Sequence, residues 1–211
     1  MADASRGAGW NALTVAATKA ELRARVLAAR RDVDAEDRRS AAARATRSLL
    51  DLPDVMAARC VAAYYSFGTE PSTSVLLADL WSREVRVLLP VVCSDLDLDW
   101  AIYDASGAGA RDVHGVWTPD GPRLGVEAVA EADVVVVPAL AVGADGTRLG
   151  RGGGSYDRAL ARVPAEHLVA TLLYEGELLP RVPSEPHDRA VDLVALPSGV
   201  RWLRGHEGPT A

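Results

Sequence analysis

Arg148-Leu149-Gly150-Arg151-Gly152-Gly153-Gly154-Ser155-Tyr156-Asp157-Arg158 is the stretch that organises this chain. Four glycines fall within five residues, three arginines stand around them, and an aspartate follows. Upstream, Asp133-Val134-Val135-Val136-Val137-Pro138 is an apolar run that reads as a buried strand. Downstream, Ser155 to Val163 reads as the opening of a helix. The order is therefore strand, long loop, glycines, helix. Glycine lets backbone N–H groups approach an anion without a side chain in the way. A helix N-terminus adds unpaired N–H donors and a partial positive charge. Arginine adds a planar fork matched to phosphate oxygens. Together these are the parts of a polyphosphate cradle.

Other readings of the stretch are weaker. Glycines alone would fit a surface loop ending in an ordinary helix cap, but the interleaved Arg148, Arg151 and Arg158 favour an anion. A Walker loop is excluded, because no lysine stands between Gly154 and Ser155. Gly150-x-Gly152 half-matches a dinucleotide fingerprint, with Glu175 ending a later apolar run. That fingerprint follows its strand closely, whereas here Ala139 to Leu149 intervene. A single Arg151-Gly152-Gly153 resembles one copy of an RNA-binding repeat and carries little weight.

The chain has 211 residues, enough for one large domain or a domain with an extension. Hydrophobic residues make up 49%, but with one Phe and two Met the core must be filled by Val, Leu and Ala. A net charge of −6 argues against a general nucleic-acid or membrane-surface binder, so the arginines form a local positive site in an acidic protein. Cys60 and Cys93, the only cysteines, lie in or beside apolar runs without metal-ligand neighbours and read as buried free thiols of a reducing compartment. No apolar stretch reaches the roughly 18 residues of a membrane span. Residues 1–17 lack a secretory h-region and read as a disordered lead-in, and 205–211 as a frayed tail. Residues 18–204 form the single domain expected, and the expected location is cytoplasmic.

Along the chain, Thr18-Lys19-Ala20-Glu21 fits a capping box. Leu22, Val26, Ala29 and Val33 recur at helical spacing, and the opposite face carries Lys19, Arg23, Arg25, Arg30 and Arg31, a face that on its own reads as solvated. A second helix runs from about Ala35 to Leu50, ahead of Pro53. Cys60 to Phe67 reads as a strand broken by Gly68-Thr69-Glu70-Pro71. Ser72 then caps a helix containing Val75, Leu76, Leu80 and Trp81. Arg86–Val92 and Leu98–Tyr103 read as strands, Ser106–Pro122 as loop, and Glu127–Glu131 as weakly helical. Leu168–Tyr174 and a final Val191–Ala195 complete the strands. Alternation of strands and helices predicts an α/β fold with a mainly parallel sheet, in which ligands sit beyond the carboxyl ends of strands.

No nucleophilic set stands out. His114, His167, His187 and His206 are scattered, although His187-Asp188 could orient another group. Phosphoryl transfer needs positioning and charge neutralisation rather than a nucleophile, with carboxylates for magnesium. Asp157 and Asp192, each also readable as a helix-start or surface acid, form a candidate magnesium pair. Glu70 is a candidate for holding a polar substrate group or a turn residue. Trp117 is either a stacking platform for a planar heterocycle or a plug for its loop.

With Arg148–Arg158, the segment Asp188 to Asp192, Tyr65-Ser66-Phe67 leading to Glu70, and Lys19-x-x-x-Arg23 all present in order, the chain resembles the 5-formyltetrahydrofolate cyclo-ligase (methenyltetrahydrofolate synthetase) family from about Lys19 to Pro197. The resemblance implies a three-layer αβα fold shared with sugar-phosphate isomerase and CoA-transferase-type domains. It implies an ATP- and Mg2+-dependent cyclisation of 5-formyltetrahydrofolate to 5,10-methenyltetrahydrofolate. By position, Lys19, Arg23 and the loop Arg148, Leu149, Gly150, Arg151, Gly152, Gly153, Gly154, Ser155 and Tyr156 would meet ATP. Tyr65, Glu70, Trp117 and the loop Arg151 to Ser155 would contact the folate. Asp157 and Asp192 would ligate magnesium, and Arg151 and Tyr156 would be catalytic.

Three positions depart from the family pattern. Ser155 replaces the first of two tyrosines after the glycines. Pro71-Ser72-Thr73 stands where Val-Asp-Thr is common. Leu173-Tyr174-Glu175 lacks the usual Phe and Gln nearby. The resulting alternatives are a divergent nucleotide- or folate-binding member without turnover, and a sugar-phosphate isomerase-like enzyme that needs no ATP. The expected partners are the folate substrate and ATP, with neither nucleic acid nor membrane, in a chain expected as a monomer with a dimer as the alternative.

Overall fold

The computed structural model describes residues 18–105, 109–111, 117–186 and 188–203. The expected lead-in 1–17, the tail 205–211, and His114, His187 and His206 lie outside the described residues. Helix α1 (Lys19–Asp32) opens on the predicted capping box, with the Thr18 hydroxyl accepting the Glu21 amide and the Glu21 carboxylate accepting the Thr18 amide. Helix α2 (Ala35–Leu50) has its predicted bounds, and Pro53 opens the short α3 (Pro53–Ala57). Then follow β1 (Cys60–Ala62), α4 (Ser74–Ser82), β2 (Arg86–Val92) and β3 (Leu98–Ile102). A hairpin of β4 (Gly109–Arg111) and β5 (Trp117–Pro119) and a 3-10 helix, Val126–Glu131, lead to β6 (Val134–Val137). The chain continues through β7 (Ala141–Gly143), β8 (Arg148–Leu149), α5 (Ser155–Leu160) and β9 (Leu168–Leu172). It ends with β10 (Leu178–Leu179), β11 (Leu193–Leu196) and β12 (Gly199–Trp202).

The central sheet has the order β12-β11-β9-β6-β1-β2-β3. Its five inner strands are parallel, and only the edges β12 and β3 run antiparallel. The valine run of β6 shows why apolar strands lack alternation here. Val134 and Val136 pack on one face with α2, α3 and α4, while Val135 and Val137 pack on the other with the 3-10 helix and α5. Both faces are therefore buried, which gives the three-layer αβα arrangement. A second small sheet, β10-β7-β8, packs against Leu22 and Val26 of α1.

Several boundaries differ from the expectation. The strand predicted over Cys60–Phe67 stops at Ala62, because from Tyr64 onward the backbone is held by side chains: the Thr73 hydroxyl donates to the Tyr64 carbonyl at 2.7 Å. Thr73, not Ser72, is the residue before α4. The loop expected over Ser106–Pro122 contains the β4–β5 hairpin, and the one between Ala139 and Leu149 contains β7 and β8. The expected final strand is followed by β12.

The connections fix where a ligand can sit. The crossover from β1 to β2 carries α4 on one face of the sheet, and that from β6 to β9 carries α5 on the other. Since β1 and β6 are neighbours, their outgoing chains part at their carboxyl ends and open a crevice there, at the topological switch point.

Candidate active site

A cavity of about 670 Å3 occupies that crevice. The chain leaving β1 supplies Tyr64, Tyr65, Phe67 and Glu70; the chain leaving β6 supplies Pro138 to Leu140. The glycine loop closes one side, α1 brings Lys19 and Arg23, and β5 brings Trp117. This is the size class of small-molecule sites.

The loop after β1 is braced from within. The Ser66 amide bonds to the Thr73 hydroxyl and the Thr73 amide to the Ser66 hydroxyl, both at 3.1 Å. Glu70 is buried; its carboxylate accepts the Phe67 amide and Arg151 Nε, each at 3.1 Å. Burial nevertheless pushes the Glu70 carboxyl above its ordinary range, against the pull of those two donors. The Arg151 guanidinium lies 4.4 Å over the Phe67 ring and stays 43% exposed at the cavity wall.

The glycine loop is shaped by the arginines it approaches. Gly152 and Gly154 adopt φ of +106° and +68°. The Arg23 guanidinium lies across Gly152, where a Cβ would come within 3.3 Å of it, and Arg23 Nε donates to the Gly150 carbonyl at 2.9 Å. Arg148 is buried, donating from Nη1 to the Pro138 carbonyl and from Nη2 to Asp157 Oδ1 at 2.9 Å. Its guanidinium stands 5.8 Å from the Tyr156 ring. Burial, with the nearby Glu70 charge, pushes the Tyr156 hydroxyl far up, so it remains protonated. Leu149 anchors the loop to α1 through Leu22, Val26 and Leu140. Arg158 turns away and donates to the Leu96 and Gly153 carbonyls. The helix α5 has six residues, shorter than expected, so backbone and arginines rather than a long dipole set the local field.

The basic residues of α1 that sequence reading left to solvent have separate tasks, and Arg30 lies not on the face opposite Leu22 and Val26 but on their buried stripe. Lys19 pairs with Glu185 and Asp188 in the cavity wall. Burial lowers the Lys19 ammonium, but the two carboxylates more than offset this and hold it above its ordinary range. Arg23 meets the glycine loop. Arg30 is buried in a bidentate pair with Glu177, at 2.7 and 2.8 Å, and donates to the Ala139 carbonyl. Trp117 is half-buried, 5.0 Å from the Tyr65 ring at a tilt of 33°, and edge-on to Tyr103 at 6.5 Å.

One expectation fails. The structure does not bring Asp192 to the cavity beside Asp157. Asp192 precedes β11 at the amino-terminal end of the sheet, where its carboxylate accepts the Val169 amide at 2.8 Å. Among the described residues no three His, Cys, Asp or Glu side chains gather as a metal cage. Of the predicted pair only Asp157 lines the cavity: Oδ1 holds Arg148 and the Arg189 amide, while Oδ2 has no hydrogen bond among the described residues. One hard oxygen in the wall fits a cation whose other ligands are nucleotide phosphates and water. Residue reading marked the segments Ser66 to Glu70 and the loop before Asp192 as strand-end candidates, which hold Phe67 and Asp188, but it did not single out Tyr64 or Glu185, which also line the cavity. Among the described residues no helix is long and apolar enough to cross a membrane.

The chain is similar to known proteins along most of its length. A family model described as the 5-formyltetrahydrofolate cyclo-ligase family matches residues 15–197. The 5-formyltetrahydrofolate cyclo-ligase of Mycolicibacterium smegmatis is 40% identical over 193 residues, covering 89% of this chain and 98% of that protein. The Haemophilus influenzae protein of the same name is 28% identical over 171 residues, covering 80% and 91%. Among solved structures, 5,10-methenyltetrahydrofolate synthetase of Aquifex aeolicus superposes with a TM-score of 0.76 at 28% identity, covering 92% of this chain and 96% of that one.

Proposed function

Because the chain belongs to the 5-formyltetrahydrofolate cyclo-ligase family, we propose that it cyclises 5-formyltetrahydrofolate to 5,10-methenyltetrahydrofolate, using ATP and Mg2+. One observation carries the reading. Arg23 and Gly150, 127 residues apart, join in a cavity that the Tyr65–Trp117 aromatic pair also lines. The cationic loop suits a triphosphate and the aromatic pair a planar heterocycle.

In this mechanism Lys19, Arg23, Arg148 and the amides of the glycine loop hold the triphosphate. The stacked Tyr65–Trp117 pair offers its cavity-facing side to the pteridine, and Glu70 fixes Arg151 at the junction. The formyl oxygen attacks the γ-phosphorus and ADP leaves. N10 then attacks the activated carbon, loses its proton, and phosphate departs. An amide-like oxygen is a poor nucleophile, so rate depends on alignment, which the braced β1 loop supplies. Arg151 and Arg23 offset charge developing on the transferring group. Magnesium, held by Asp157 and the phosphates, would neutralise phosphoryl charge.

The test is to mix protein, Mg-ATP and 5-formyltetrahydrofolate and follow methenyl absorbance in the near ultraviolet. Absorbance that rises only with ATP is expected. Folded protein that binds Mg-ATP yet yields no absorbance rejects the reading in favour of a non-catalytic binding protein.

A further inference from the structure

Tyr64 stands out among the cavity residues. It is 3% exposed, and its hydroxyl is buried with no hydrogen-bond partner among the described residues. Its backbone is fixed: the carbonyl takes the Thr73 hydroxyl at 2.7 Å, and the ring packs in the core layer with α2 and α4. Yet the residue lines the cavity. Arg148, which also lines the cavity, likewise has a buried Nε with no partner among the described residues. A buried hydroxyl without a partner costs stability, and a protein that keeps one in a ligand cavity has placed a donor for an acceptor that arrives later. Burial and the Glu70 charge hold the Tyr64 hydroxyl in its protonated form, so it can donate.

We propose that the Tyr64 hydroxyl donates a hydrogen bond to an acceptor oxygen of the bound 5-formyltetrahydrofolate, making Tyr64 a substrate-binding residue beside Tyr65 and Glu70. The inference rests on the function proposed above. The folate, rather than ATP, is its source of the acceptor. Tyr64 adjoins Tyr65, which stacks on Trp117, and its loop ends at Glu70, whereas Arg148 already serves the glycine-loop side.

Tyr64→Phe removes the oxygen and nothing else, and it separates a ligand donor from a structural one by sign. A structural hydrogen bond, once lost, lowers the melting temperature of the ligand-free protein. An orphan hydroxyl, once removed, leaves that temperature unchanged or raises it. The expected result is an undiminished ligand-free Tm together with an affinity for 5-formyltetrahydrofolate weakened by about three- to tenfold, the worth of one net hydrogen bond. Affinity for Mg-ATP alone, measured in parallel, is expected to stay at the wild-type value. A lowered ligand-free Tm, an unchanged folate affinity, or a loss confined to Mg-ATP overturns the assignment. A wild-type protein that fails to bind the folate overturns the functional reading and this inference together. Wild-type binding that Tyr64→Phe reproduces overturns this inference alone.

Discussion

Replacing Gly152 by alanine tests whether the glycine loop is shaped around Arg23. Gly152 sits at φ +106°, where an L side chain is strained. A methyl there would stand 3.3 Å from Arg23 Cζ and 3.4 Å from Nη2. Forcing a side chain into left-handed backbone costs roughly 1–2 kcal/mol. At about 2–4 °C per kcal/mol for a domain of this size, Tm falls by about 2–8 °C. The guanidinium must also shift, and it is tethered through Nε to the Gly150 carbonyl at 2.9 Å. Losing one charge-assisted contact to phosphate is worth about 1.5–3 kcal/mol, or roughly 10- to 150-fold in affinity for Mg-ATP. Calorimetric titration with Mg-ATP and a thermal melt read the two effects separately. Gly153→Ala is the control, since φ at Gly153 is not positive and its Cβ would meet only Ser155 Oγ at 3.5 Å. It is expected to cost under about 0.5 kcal/mol. Equal losses in the two variants, or unchanged affinity in Gly152→Ala, would refute the reasoning.

Glu177→Leu strands the Arg30 guanidinium, whose side chain is 1% exposed, and is expected to cost about 3–5 kcal/mol by urea denaturation, while Arg30→Met with Glu177→Leu recovers most of it. For Glu70 the raised carboxyl value means that folding favours the protonated acid; this contribution is present below the ordinary carboxyl range and is lost as pH rises through the folded value. Glu70→Gln is therefore expected to melt higher than wild type at pH 7, with the difference closing below about pH 4; a constant difference across pH would count against it. Arg151→Ala and Asp157→Ala are each expected to abolish ATP-dependent turnover with far-ultraviolet circular dichroism unchanged, and normal turnover in both would remove the cradle assignment. Asp192→Ala is expected to lower Tm, because a strand-end amide loses its acceptor, while the magnesium dependence of turnover stays as in wild type.

How much was legible follows from how local each signal is. The capping box, the bounds of α2 and the apolar run of β6 depend on near neighbours, and each appears where expected. The glycines with arginines were legible because only a close approach demands that composition. The small β10-β7-β8 sheet was not, because strands of two or three residues have no period to read. Arg30 was misplaced for a different reason. Its four-residue spacing after Leu22 and Val26 puts it on the buried stripe of α1 rather than on the opposite basic face with Arg31, but the acid that pairs with it there lies 147 residues away. Lys19 and Arg23 were marked by family resemblance alone, since their partners are also remote.

The error at Asp192 has a physical rule behind it. Asp133 and Asp192 each precede the first apolar residue of a parallel strand, β6 and β11. Parallel strands begin with amides that have no ladder partner, and a carboxylate placed one residue earlier can accept them. Asp133 takes the Arg59 and Cys60 amides at 2.8 and 3.0 Å, and Asp192 takes that of Val169 at 2.8 Å. At Asp133 burial works the other way, but these bonds prevail and hold the carboxyl below its ordinary range. The acids of the cavity stand elsewhere in the pattern: Glu70 after β1, Asp157 after the glycines, Asp188 in the return to β11. Asp188 reaches the cavity from the return segment, whereas Asp192, immediately before β11, is turned to the Val169 amide at the other end of the sheet. Position relative to the apolar run, rather than residue type, decides which aspartates serve the backbone and which serve the substrate.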